Sequence, residues 1–174
     1  MRETRRFGMR SILALSCGFM ALAVSQAASA ATATSSIGVS ATVSSNCTVS
    51  ASNVAFGSVN VISATAPTAT GGITVKCTNA TAWTATASAG GGSGATATLR
   101  KMTHATDATK TLNYALFTDS GHATVWGDGS TGSGITGTGT GSDDARTVYA
   151  RIPAGQNAAT LGSYSDTVTV TVTY

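Results

Sequence analysis

Glutamate occurs once in this chain, at Glu3. Beyond residue 30, leucine is confined to Leu99, Leu112, Leu116 and Leu161. Glutamate and leucine, two good helix formers, are therefore scarce, and no window repeats apolar residues at i, i+3, i+4 and i+7, which argues against helices. No apolar run approaches the roughly 20 residues a membrane-spanning helix wants. Histidine appears only as His104 and His122, each in a polar turn and 18 positions apart by number. No G-x-S-x-G elbow, phosphate-binding glycine loop or H-E-x-x-H motif occurs, so neither a nucleophile–base arrangement nor a zinc protease site is expected. Cysteines show neither C-x-x-C spacing nor a histidine cluster beside them, which leaves no metal centre. The expectation is a protein that is not an enzyme and carries no cofactor.

What the first residues contain is an address. Arg2, Arg5, Arg6 and Arg10 precede an apolar run over residues 12–24, and Ala28-Ser29-Ala30 closes it. A charged patch, an apolar core of about 13 residues and an A-x-A site make a secretory signal over residues 1–30, cleaved before Ala31. Cys17 lies inside the apolar run, which continues past it through Leu22 and so does not fit a lipoprotein cysteine. With that segment removed the charges balance. The bases are Lys76, Arg100, Lys101, Lys110, Arg146 and Arg151; the acids are Asp107, Asp119, Asp128, Asp143, Asp144 and Asp166. No basic field remains to attract nucleic acid, and that class of partner is excluded. Cys47 and Cys77 are left as a pair in an oxidising compartment, and one disulfide is the simplest reading. It would close a loop worth roughly 3–4 kcal/mol on chain-entropy grounds.

Threonine, valine, alanine, serine and glycine dominate the remainder, a composition of strands and turns. Ile37, Val39, Ala41 and Val43 alternate with Gly38, Ser40, Thr42 and Ser44, the period of a half-buried strand. Further strands are expected at residues 53–62 with a bulge at Gly57, and at 73–77, 83–87, 95–102, 112–116, 148–152 and 168–174. In the last, Val168, Val170, Val172 and Tyr174 share one face, with Tyr174 expected inward. Residues 127–142 hold seven glycines and one large apolar residue, Ile135, and are expected to form a flexible surface loop. Asp143-Asp144 reads as the solvated end of that loop. Trp126 could stack on a sugar ring, but packing at the core edge is the better reading; Trp83 reads as core. Asn46-Cys47-Thr48 and Asn79-Ala80-Thr81 match the N-glycosylation pattern, at a frequency that chance explains.

These residues together resemble a known family. The alternating lead segment up to Asn46-Cys47-Thr48-Val49, then Ile73-Thr74-Val75-Lys76-Cys77, Tyr149-Ala150-Arg151-Ile152-Pro153-Ala154-Gly155-Gln156, and residues 162–174 are similar to the spore coat protein U domain family. That family includes subunits of archaic chaperone–usher pili of the Csu type. The resemblance implies an all-β, incomplete immunoglobulin-like sandwich completed by a donor strand from a neighbouring subunit. It implies residues 31–45 as the donor extension and 46–174 as the pilin domain. Ile37, Val39, Ala41 and Val43 would be the donor side chains, and the strand of Val168, Val170, Val172 and Tyr174 one wall of the acceptor groove. The implied partners are further copies of the chain joined head to tail, a periplasmic chaperone, an outer-membrane usher and a tip adhesin. The implied location is the cell surface, reached through the periplasm. A spore-coat or other surface-layer protein using the same joint, and a secreted carbohydrate-binding adhesin, are the alternatives.

Overall fold

The computed structural model describes residues 28–174; the proposed signal and its n-region fall almost wholly outside them. The chain divides into two units, Met1–Ser40 and Ala41–Tyr174. In the described part of the first, residues 28–40 carry no strand or helix, and Ile37 and Val39 are exposed.

The second unit is built from nine strands: β1 (Cys47–Ser52), β2 (Thr68–Cys77), β3 (Ala82–Ala87), β4 (Arg100–His104), β5 (Thr111–Phe117), β6 (Ile135–Thr138), β7 (Asp143–Arg151), β8 (Tyr164–Ser165) and β9 (Val170–Thr173). They form a six-stranded sheet in the order β1-β2-β7-β5-β4-β8 and a three-stranded sheet in the order β6-β3-β9. Every strand pair is antiparallel. No helix occurs among the described residues. The all-β expectation holds, as a sandwich of two sheets.

The core follows the alternation. Ile73, Val75 and Cys77 from β2, Trp83, Ala85 and Ala87 from β3, Leu112, Tyr114 and Leu116 from β5, and Val148 and Ala150 from β7 are buried on facing sides. Alternate residues point to opposite faces of a strand, so the rows between them, threonine-rich in β3, face away from this core. Cys47 and Cys77 are register partners at the ends of β1 and β2 and form a disulfide, with Cα atoms 4.1 Å apart. It ties an edge strand to its single neighbour.

Several expected elements differ. The lead segment forms no strand; the first strand begins at Cys47, where β2 supplies a partner. Residues 53–62 are likewise unpaired, although Val54, Phe56, Val59 and Val61 pack against the core and Gly57 takes φ of +65°. Of the expected strand at 95–102 only the end from Arg100 forms; Thr96 and Leu99 instead exchange main-chain bonds in a turn.

The largest correction concerns residues 127–142. They contain β6, which pairs with β3 from Ala82↔Thr138 to Ala85↔Ile135, and Ile135 is buried. Several of the glycines are there for close approach rather than flexibility. A Cβ on Gly137 would overlap the Trp83 ring, and one on Gly139 would lie 2.7 Å from Cys77 Cβ. Asp143 and Asp144 open β7 instead of ending a loop. Asp143 faces Lys76 at 3.6 Å, while Asp144 takes a two-pronged bond from Arg146, which lies over Trp83 at 5.9 Å.

Candidate functional site: an open apolar groove beside an unpaired strand edge

β9 is an edge strand by necessity. Its register with β3 runs from Ala87↔Val170 to Thr84↔Thr173, and no other strand among the described residues pairs with it. β1 is the edge of the other sheet, bonded to β2 alone, and it approaches β9 across the sandwich. Val49 and every other β1 residue after Cys47 are exposed, so this flank of the sandwich is uncovered. An edge with free main-chain groups above an apolar surface is the arrangement native sheets normally blunt or cover.

Between these edges lies a groove of about 480 Å³. Ala51 through Phe56 form one wall and Asp166 through Val170 the other. Its floor is Ile73, Tyr114, Leu116, Trp126, Val148 and Met102. The floor is therefore aliphatic and aromatic, while the walls add Ser52, Asn53, Ser165 and Thr167, with one carboxylate, Asp166, at the mouth. That carboxylate is held firmly. Asp166 Oδ1 accepts from Gly91 N at 2.7 Å and Thr167 N at 2.8 Å, and Oδ2 accepts from the Tyr114 hydroxyl at 2.7 Å. Burial, first, and then that bond to Asp166 push the Tyr114 phenol well above its ordinary range, so it stays a donor.

The start of β9 is pinned by Arg100, which is fully buried. Its guanidinium donates to the carbonyls of Ser88 (2.8 Å), Ala97 (2.7 Å), Ala87 (2.9 Å) and Trp126 (2.9 Å). Ala87 ends β3 and Ser88 follows it, where β9 begins; Ser88 N donates to Thr169 O and Thr169 N to Ser88 Oγ, both at 2.9 Å. Desolvation lowers the Arg100 pKa, yet guanidinium stays charged in proteins, and four carbonyl dipoles replace its water.

The expected site residues are distributed as follows. Val168 and Val170 line the groove, and Val172 packs half-buried against the core farther along β9. Tyr174 does not turn inward as expected: it lies beyond the last pair of β9 and is 54% exposed, because no strand flanks that end to cover it. Ile37, Val39 and Val43 are 83–92% exposed, and Ala41 is exposed as well. Trp126 is core, with Nε1 donating to Ala85 O at 3.0 Å, which removes it as a sugar platform. His104 and His122 sit far apart in role: one caps a turn with Leu161 O at 3.1 Å, the other packs edge-on against Phe117. Among the described residues no three acidic, histidine or cysteine side chains gather as a metal would need.

Sequence reasoning missed Arg100, Asp166 and the Val54–Phe56 wall. Asp166 left a signal: it is in phase with Val168, Val170 and Val172, a charge in the inward row. Arg100 left none beyond being a base without a nearby acid in sequence.

The family model for the spore coat protein U domain matches residues 33–171. Among solved structures, a chain of the crystal structure of the CsuC–CsuE chaperone–tip adhesion subunit pre-assembly complex, from archaic chaperone–usher Csu pili of Acinetobacter baumannii, superposes with a TM-score of 0.52 at 23% identity. The match covers 76% of this chain and 40% of that one. The search of curated proteins finds no match.

Proposed function

The chain belongs to the spore coat protein U domain family, and from that premise we propose that it is a structural subunit of a surface pilus, polymerising head to tail by donor-strand exchange. The observation that carries this reading is the uncovered flank: β9 unpaired on one side, β1 unpaired on the other, and an apolar groove open between them. A strand laid along β9 would satisfy its free main-chain groups and cover the valine row together. Residues 31–45 offer such a strand, with Ile37, Val39 and Val43 exposed and in phase.

The energetics favour a durable joint. Burial of those three side chains is worth roughly 1.5–3 kcal/mol each. Each added main-chain bond contributes about 0.5–1.5 kcal/mol net. A joint between one surface and a different surface of the next copy does not close on itself, so it propagates as a filament. Addition of a strand to a sheet edge is a general mode of recognition; pilin donor-strand complementation is one of its known examples. A periplasmic chaperone would protect the groove before assembly, an outer-membrane usher would exchange it for the next subunit's extension, and a tip adhesin would end the fibre. The fibre would serve adhesion and biofilm formation at the cell surface. Nothing in this role calls for reaction chemistry.

Deletion of residues 31–45 tests the reading. The truncated chain should fold, accept a peptide of those residues and terminate fibres of the full chain. Normal fibre growth from the truncated chain alone would refute it.

A further inference from the structure

The groove ends in a charge, and the extension carries a hydroxyl at the matching position of its alternating row. The inward row leading into β9 reads Asp166, Val168, Val170, Val172, with the exposed Tyr174 next in phase, and the exposed row of the extension reads Ile37, Val39, Ala41, Val43, Ser45. Each is an apolar run ended by a polar residue at one side. Orientation follows from where the ends lie. Asp166 stands at the groove mouth beside Gly91. The root of the extension is at the other end of the sandwich: Asn46 N donates to Thr78 Oγ1 at 3.1 Å and Thr78 N to Asn46 O at 2.9 Å, next to the Cys47–Cys77 disulfide. A strand entering parallel to β9 would bring the root of one copy against the root of the next. An antiparallel strand places the next body beyond the mouth, and all strand pairs of this fold are antiparallel.

Resting on the donor-strand reading above, we propose that Asp166 sets the register of the joint by accepting a hydrogen bond from Ser45 of the incoming copy. In that register Val43 lies opposite Val168, Ala41 opposite Val170, Val39 opposite Val172 and Ile37 opposite Tyr174. Directly opposed residues of an antiparallel pair share a face, so Ser45, Val43 and Ala41 meet Asp166, Val168 and Val170 inside the groove, and Val39 and Ile37 continue the row along the rest of β9. The carboxylate has the capacity: of about four acceptor positions, Gly91 N, Thr167 N and the Tyr114 hydroxyl take three, leaving one on Oδ2. A slip by two residues toward the mouth presses Val43 onto Asp166 and leaves that position desolvated and unpaired. Tyr114, Gly91 and Thr167 hold the carboxylate in place, so it cannot swing aside cheaply.

The test refolds the full chain with excess labelled peptide of residues 31–46, native or carrying Ser45→Val, and follows dissociation. The valine peptide is the more apolar, so burial alone predicts slower release. With Asp166 reading the hydroxyl it should leave at least about tenfold faster. On an Asp166→Val chain the order should reverse, a comparison within one variant that any general loss of stability leaves intact. Equal or slower release of the valine peptide from the unaltered chain overturns the register role, and that arm needs no mutant protein to fold. Failure of the native peptide to bind at all overturns the donor-strand reading and this inference together.

Discussion

At the scale of single residues, the groove owes its shape to a buried cation without a carboxylate partner. Arg100 joins the turn at Ala97, the end of β3 and Trp126 through four carbonyls. A hydrogen bond to a charged group contributes about 1.5–3 kcal/mol, and each buried carbonyl left bare costs about 1–3 kcal/mol. These terms overlap, so Arg100→Met should cost about 3–5 kcal/mol in urea unfolding and loosen the start of β9 in hydrogen exchange. A loss under about 1 kcal/mol would mean the four bonds are replaceable by water. Lysine, a point charge without the planar fork, should recover only part.

Among the strands, the glycine of β6 marks a contact surface. Gly137 sits on the Trp83 ring with no room for a methyl group, so Gly137→Ala should destabilise by about 1–3 kcal/mol through overpacking, read as a lowered urea midpoint with an unchanged slope. No effect would return the segment to the status of a loop. This is also where reading the sequence stopped short. β2, β3, β5 and β7 were legible because each places apolar residues at every second position over about five residues. β6 offers one apolar residue, Ile135, amid glycine and threonine, and its pairing is decided by the flat Trp83 ring across from it. Residues 53–62 fail in the opposite way: their apolar row is real and packs on the core, but no neighbouring strand supplies main-chain partners. Side-chain periodicity reports burial, and pairing needs a second chain segment that periodicity does not reveal. The groove's valine row was readable for the same reason, whereas the Asp166 and Arg100 networks depend on loops brought together by the fold.

For the molecule as a whole, the acid side of the stability curve is set by carboxylates held below their ordinary value of 3.8. Asp144 is lowered first by its bond from Arg146, Asp119 by the amides of Ala123 and Thr124, and Asp128 by those of Thr131 and Ser130. A group whose folded pKa is depressed adds stability above its unfolded value and loses it as pH falls through the folded one. Thermal stability should therefore stay level from about pH 8 to pH 5 and decline below about pH 4. A main transition near pH 6 would contradict that assignment. The same body that resists acid presents one unfinished flank, and its own leading residues carry the pattern that would finish another copy.

The most direct measurement of that exchange is a covalent one. Ala41→Cys and Val170→Cys are introduced together, the protein is assembled under oxidising conditions, and products are separated on a denaturing gel without reductant. Strand exchange between copies predicts a ladder of covalent multiples that collapses to monomer on reduction. Monomer alone, with both new thiols free or joined within one chain, would contradict it.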